Sequence, residues 1–267
     1  MIYIAFLLFT FIVLFILFYQ LQFFMVFKPT YYRDEELDDE FELLSVVSDD
    51  GVELEGVVYE PTDLYRKLPT IESTMLFFGG NKHDTVGLIH KLSKAFPHTR
   101  IITFNYRSYG KSGGVVSEKN ILADGLKVAG LVQKNYGDFY ILGYSLGSNV
   151  ASYVASKKSS LALFLVGSFD SIASLAKEKF VNRSFFPSID LSGVFRYKLR
   201  TREYVQNIDT KTYLFVSKSD ETTYIQNARN LKEHIKNLAH YEELENLSHK
   251  EILWDYRVLR TINEEIA

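Results

Sequence analysis

The chain has 267 residues, with 30 Lys and Arg against 33 Asp and Glu, a formal charge of −3 and 47% hydrophobic residues. That is a globular composition, which excludes a disordered or collagen-like chain, and its near-neutral balance lacks the basic excess that a nucleic-acid surface needs. With no Cys present, disulfides, Cys-ligated zinc, Fe–S clusters and thiol nucleophiles are excluded too.

The charges begin late. Residues 2–27 form an apolar run broken only by Thr10, Gln20 and Gln22, and no Lys, Arg, Asp or Glu precedes Lys28. As a helix the run spans about 39 Å, more than the roughly 30 Å of a hydrocarbon core. A cleaved signal peptide has a basic start, a short apolar core and small residues at its end. Here nothing basic precedes the run, and bulky residues continue to its end. An uncleaved membrane anchor over 1–27 is expected, with Tyr19, Gln20, Gln22, Phe23, Phe24 and Phe27 approaching the interface. Lys28 and Arg33 follow the span, so the positive-inside count leans residues 28–267 toward the cytoplasm, against the acidic stretch 34–42.

The rest has the size of one domain. Residues 41–48 and 52–60 read as two strands around Asp49-Asp50-Gly51, a hairpin signal. After Pro69 short apolar runs at 74–78, 101–105, 138–142, 161–166 and 212–216 suit strands buried on both faces. Between them, 85–96, 118–135, 146–157 and 224–237 read as helices, with Asp84 and Ser117 as candidate N-caps. A strand at 240–245 and a helix at 249–263 close the chain. This order predicts an α/β fold, a mostly parallel eight-stranded sheet flanked by helices.

Gly143-Tyr144-Ser145-Leu146-Gly147 has the form G-x-S-x-G. It follows a predicted strand and opens a predicted helix whose Leu146, Val150, Tyr153 and Val154 fall on one side. A nucleophile elbow needs this context, because so sharp a turn admits only small residues two before and two after the Ser. A Ser hydroxyl needs a base. Of the six His, His90 and His234 fall within predicted helices, His98 lies at the wrong end of the sheet and His240 begins a strand. His249 follows the last strand at the catalytic edge, and His83 is its rival. Asp220, just past the run 212–216, is the partner expected to orient His249, with Glu221 and Asp170 as alternatives. Oxyanion donors are expected from the Leu146 N–H and from Phe78-Gly79-Gly80-Asn81, with Gly80 preferred and Asn81 second.

These residues, together with Asn105-Tyr106-Arg107-Ser108-Tyr109-Gly110-Lys111-Ser112 and Phe169-Asp170-Ser171-Ile172, resemble the α/β-hydrolase superfamily. The resemblance points to its membrane-anchored group, which includes eukaryotic protein depalmitoylases and related bacterial serine hydrolases. It runs from about Tyr31 to the final helix. It implies a Ser145–His249–Asp220 triad, in agreement with the reading of the residues. The chain departs from the family pattern in having Phe78 where His is frequent, Asn105 for Asp and Ser108 for Gly.

Gly110-Lys111-Ser112 imitates the end of a P-loop, but Asn105 stands where its first Gly is required, so no nucleotide is expected. His83, His90 and His98 lack metal-ligand spacing, and neither metal nor cofactor is expected. A small cap is expected from about 168–209. Its Phe169, Phe180, Phe185, Phe186, Phe195 and Tyr197 would line an acyl pocket or pack the cap itself. Its Arg196, Lys198, Arg200 and Arg202 would form a solvated face or meet anionic headgroups. The expected protein is a membrane-tethered serine hydrolase of carboxylic esters or thioesters, with a small-molecule or lipid acyl substrate. A catalytically silent scaffold and a peptidase of the same fold are the alternatives.

Overall fold

The computed structural model describes residues 2–31, 37–38, 40–62, 73–181 and 193–267, with Phe180 and Val181 described by backbone only. Arg33 of the orientation count and Phe185 and Phe186 of the aromatic set lie outside the described residues, as does the Phe180 side chain. The elements run α1 (Ile2–Val26), β1 (Phe41–Val47), β2 (Glu53–Tyr59), β3 (Ser73–Phe78), α2 (Ile89–Ala95), β4 (Thr99–Phe104), α3 (Glu118–Tyr136), β5 (Tyr140–Tyr144) and α4 (Leu146–Ala155). They continue with β6 (Leu163–Val166), α5 (Ile172–Ala176), a π-helical turn (Lys177–Val181), α6 (Thr201–Val205), β7 (Thr212–Ser217), α7 (Ile225–Lys232) and β8 (Leu238–Leu244). A 3₁₀ turn (Ile252–Trp254) and α8 (Tyr256–Ile266) end the chain.

The strands form one eight-stranded sheet in the order β1-β2-β4-β3-β5-β6-β7-β8. β2 is antiparallel to both β1 and β4, and every other pairing is parallel. The central strands carry apolar runs, as in Met75–Phe78, Leu163–Val166 and Tyr213–Val216, because both faces are covered. Along β3, Met75 and Phe77 point into one core while Leu76 and Phe78 point into the other, the period-two alternation of a pleated strand. Val128 and Val132 of α3, Val150 and Val154 of α4 and Leu231 of α7 cover the Leu76 face. Ile89 and Leu92 of α2 and Val258 and Ile262 of α8 cover the Phe77 face. Burying each such side chain stabilises the fold by about 1.5–3 kcal/mol.

Several boundaries differ from the sequence expectation, each for a local reason. α2 starts at Ile89 rather than 85, and its N-cap is Leu88, not Asp84. The Asp84 carboxylate instead accepts from the Gly87 N–H (3.3 Å) and the Asn105 side-chain amide (2.6 Å), which holds 85–88 in turns. Ser117 does cap α3, accepting from the Asn120 N–H at 3.2 Å. α4 is buried on nearly every side rather than along one stripe. α7 gives way to turns after Lys232. The helix expected from 249 is divided: Asp255 takes extended backbone after the 3₁₀ turn and caps α8 by accepting from the Arg257 N–H. His249 therefore stands on a turn, outside any helix.

α1 stands clear of the body over most of its length; only Gln22 and Val26 are buried along it. It is the one helix among the described residues that is long and apolar enough to cross a membrane.

Candidate active site

β5 ends at Tyr144 and α4 begins at Leu146, so Ser145 alone makes the turn. Its backbone sits at φ 54°, ψ −118°, a left-handed conformation that costs a non-glycine residue about 1–3 kcal/mol. Small neighbours make the turn possible. A Cβ on Gly147 would stand 2.0 Å from the Phe78 carbonyl oxygen, and one on Gly143 would stand 2.6 Å from the Gly147 carbonyl oxygen. Neither gap admits even a methyl group. The strand register Phe78–Gly143 and Tyr144–Val166 brings the ends of β3, β5 and β6 to the same edge.

Ser145, His249 and Asp220 meet at that edge. His249 Nε2 lies 2.8 Å from Ser145 Oγ, and His249 Nδ1 lies 2.7 Å from Asp220 Oδ2. All three residues are buried. Asp220 is fixed by three further donors: the Thr222 and Thr223 N–H groups on Oδ1, and Thr223 Oγ1 on Oδ2 at 2.6 Å. Burial by itself pushes the Asp220 carboxyl up, but the hydrogen bond and charge of His249 and the Thr223 donors outweigh it and hold the group below its ordinary range. The other candidates lie elsewhere. Glu221 accepts from the backbone N–H of His249 (3.2 Å), and Asp170 accepts from the Ser171 N–H (2.7 Å), its carboxyl pushed up by burial.

His83 does not reach Ser145. Its ring stacks on Tyr144 (5.3 Å, 10°), which also stacks on His249 (5.2 Å, 28°). The Tyr144 hydroxyl donates to the His249 backbone carbonyl at 2.8 Å, so Tyr144 fixes His249 through its backbone as well as its ring. Burial, and then the nearby His249, lower His83 from the ordinary 6.5 to about 4. The neutral ring accepts the Gly80 N–H at Nδ1, 3.2 Å away. Gly80 lies against Ser145, since a Cβ there would stand 3.4 Å from Ser145 Cβ. Leu146 supplies the first backbone N–H of α4. The roles of Tyr144 and Thr223 were missed by the sequence reading. The aromatic at the second position of the pentapeptide was the available signal for the first; nothing marked the second.

Two of the positions that depart from the family pattern, Ser108 and Asn105, have structural accounts. Ser108 holds φ 65°, the conformation for which glycine is the easy choice. Asn105 is buried at the centre of a network, donating to Glu55 (2.9 Å) and Asp84 and accepting from the Thr85 N–H (2.7 Å). The Lys111 N–H donates to the Glu55 carboxylate at 2.8 Å, which joins the Gly110-Lys111-Ser112 turn to this network. Among the described residues no group of three or more His, Asp or Glu is disposed to hold a metal ion.

No protein-family model and no curated protein sequence matches the chain. Solved structures do match in fold. An esterase of Pyrococcus furiosus superposes with a TM-score of 0.66 at 16% identity, covering 90% of this chain and 96% of the esterase. An α/β hydrolase of Vibrio vulnificus gives 0.67 at 14% identity, over 85% and 81% of the two chains. A serine hydrolase without a lid from Xanthomonas campestris gives 0.56 at 16% identity, over 87% and 94%. With the strand order and the Ser-bearing turn after β5, these likenesses define the class: the chain has the α/β-hydrolase fold.

Proposed function

We propose that the protein is a membrane-tethered serine hydrolase that cleaves carboxylic esters or thioesters. The observation that carries this reading is the unbroken chain Ser145 Oγ–His249–Asp220, at 2.8 and 2.7 Å, starting from a strained strand-to-helix turn. Ser145 Oγ attacks the acyl carbonyl while His249 Nε2 takes its proton. Asp220 holds Nδ1–H and stabilises the imidazolium. The Leu146 and Gly80 N–H groups receive the oxyanion, Gly80 exchanging its long bond to His83 for the stronger charge-assisted one. Collapse expels the alcohol or thiol with the proton from His249 and leaves an acyl-Ser145. Water, deprotonated by His249, then releases the acid and restores the hydroxyl. The esterase and hydrolase neighbours support the same reaction class.

The preference for acyl chains rests on α1, whose exposed apolar length would hold the site at a bilayer. On this reading residues 1–27 are the anchor, 28–267 the hydrolase domain, and about 168–209, holding α5 and α6, its cap. Two aromatics of that segment, Phe195 and Tyr197, pack on α1 and on Phe27 just beyond it. The test is hydrolysis of p-nitrophenyl esters of increasing chain length, with fluorophosphonate labelling. Activity that persists or grows with chain length, and labelling lost in Ser145→Ala, are expected. Activity confined to peptides or very short acyl groups overturns the acyl-chain reading, and a folded wild-type protein that takes no label favours the silent scaffold.

A further inference from the structure

The last turn of α1 is built into the body of the protein. Gln22 and Val26, four residues apart and thus on one face, are its buried positions. The Gln22 side chain uses both ends of its amide: Nε2 donates to the Val194 carbonyl (3.1 Å) and Oε1 accepts the Arg196 N–H (2.6 Å). Alongside, Phe18 packs edge-on to Phe195, and the Arg196 guanidinium lies over the Tyr19 and Tyr197 rings. A polar side chain in an apolar span is costly unless satisfied, and this one is satisfied by backbone of the segment between β6 and β7.

One turn further on, the helix meets the loop after β3. The Asn81 side chain donates to the Val26 carbonyl at 3.0 Å. That carbonyl is among the last of the helix, which have no partner within it. The Asn81 carbonyl in turn accepts from the Lys28 N–H (3.2 Å) and from the hydroxyl of the fully buried Tyr109 (2.9 Å), and Thr30 Oγ1 donates to the Lys82 carbonyl (2.7 Å). Residues 81 and 82 are thereby tied to the chain that leaves α1. Their neighbour Gly80 lies beside Ser145, since a Cβ on it would stand 3.4 Å from Ser145 Cβ.

We infer that Asn81 is a positioning residue through which α1 sets the oxyanion loop, so that turnover at Ser145 depends on how the helix is docked. This rests on the serine-hydrolase reading above. A tether would only raise the local concentration of substrate. A helix that holds the loop would change the rate constant itself, because a small misplacement of an oxyanion donor weakens the bond that strengthens in the transition state.

The full-length chain in lipid nanodiscs decides between the two, with p-nitrophenyl butyrate as a soluble substrate that needs no bilayer. Asn81→Ala is expected to lower kcat at least tenfold with KM within twofold of wild type. The isosteric Asn81→Asp, which cannot donate when ionised, should do the same and guards against a folding defect in the first variant. Gln22→Leu, which suits the bilayer at least as well as Gln, should lower kcat severalfold. Combined with Asn81→Ala it should add little, since both changes loosen the same helix end. Values of kcat within twofold of wild type in both Asn81 variants overturn the inference, as do independent, multiplicative losses in the double variant. Fluorophosphonate labelling of wild type separates the premises: a labelled, active wild type with insensitive Asn81 variants leaves the hydrolase reading standing, and an unlabelled folded wild type ends both.

Discussion

At Asp220 the side chain makes four interactions: one orients His249 and three come from Thr222 and Thr223. Asp220→Asn keeps the shape and the two threonine N–H contacts on Oδ1 but puts an amide N–H at the Oδ2 position, where the imidazole needs an acceptor. The wrong His249 tautomer then faces Ser145, and kcat should fall about 10³–10⁴-fold with little change in melting temperature, checked by steady-state kinetics beside a thermal melt. His83 gives a separate pH signature. Its folded value, lowered to about 4 from 6.5, means that the unfolded chain binds a proton first as the pH falls. Its contribution to stability is whole above 6.5 and is lost as the pH drops through 6.5 toward 4. In His83→Phe, which keeps a ring against Tyr144, urea unfolding across that window should be flatter than in wild type. A variant curve parallel to wild type would remove His83 as the source. That Ser145, His249 and Asp220 meet at one edge was readable, because fold order and residue type restrict the choices. The engagement of the Gly80 N–H by His83 was not, since it depends on one side-chain rotamer in a loop.

The elements were legible in proportion to how completely local pattern determines them. β3, β5, β6 and β7 are buried on both faces and announce themselves as short apolar runs; the β1–β2 hairpin is announced by Asp49-Asp50-Gly51. Element ends were less legible where long-range polar contacts override local signals. Asp84 has the composition of a cap, yet it is drawn to Asn105, 21 positions away. Arg107 illustrates the same physics in the assembly of elements. Its buried guanidinium is doubly bonded to Asp124 on α3 (2.7 and 2.9 Å) and to Asp50 in the β1–β2 turn (2.7 and 2.8 Å). The three segments come from distant parts of the chain, and no periodicity reveals that they meet. Arg107→Ala strands the Asp124 carboxylate without its cation, and the fold should lose about 3–5 kcal/mol in urea unfolding. Replacing Asp50 alone, whose side chain is 58% exposed, should cost far less.

Across the whole molecule, the central architecture followed from composition and strand–helix order, whereas the relation between α1 and the body did not. Nothing in an apolar run distinguishes a loosely hung span from one whose final turn is hydrogen-bonded to a distant loop; Gln22, expected at the interface, is instead buried against Val194 and Arg196. The molecule as a whole must also carry the unfavourable torsion at Ser145, and this separates durability from reactivity at a single position. Glycine normally weakens a structured segment relative to alanine by about 0.5–1 kcal/mol. At φ 54° the ranking should invert. Ser145→Gly should melt above Ser145→Ala by a few degrees, both variants being inert toward esters, and a glycine variant that melts lower would mean the turn holds no strain. Ser145 is then a place where the chain is not at ease: heat tolerance could be gained there by a single substitution, but only by giving up the hydroxyl.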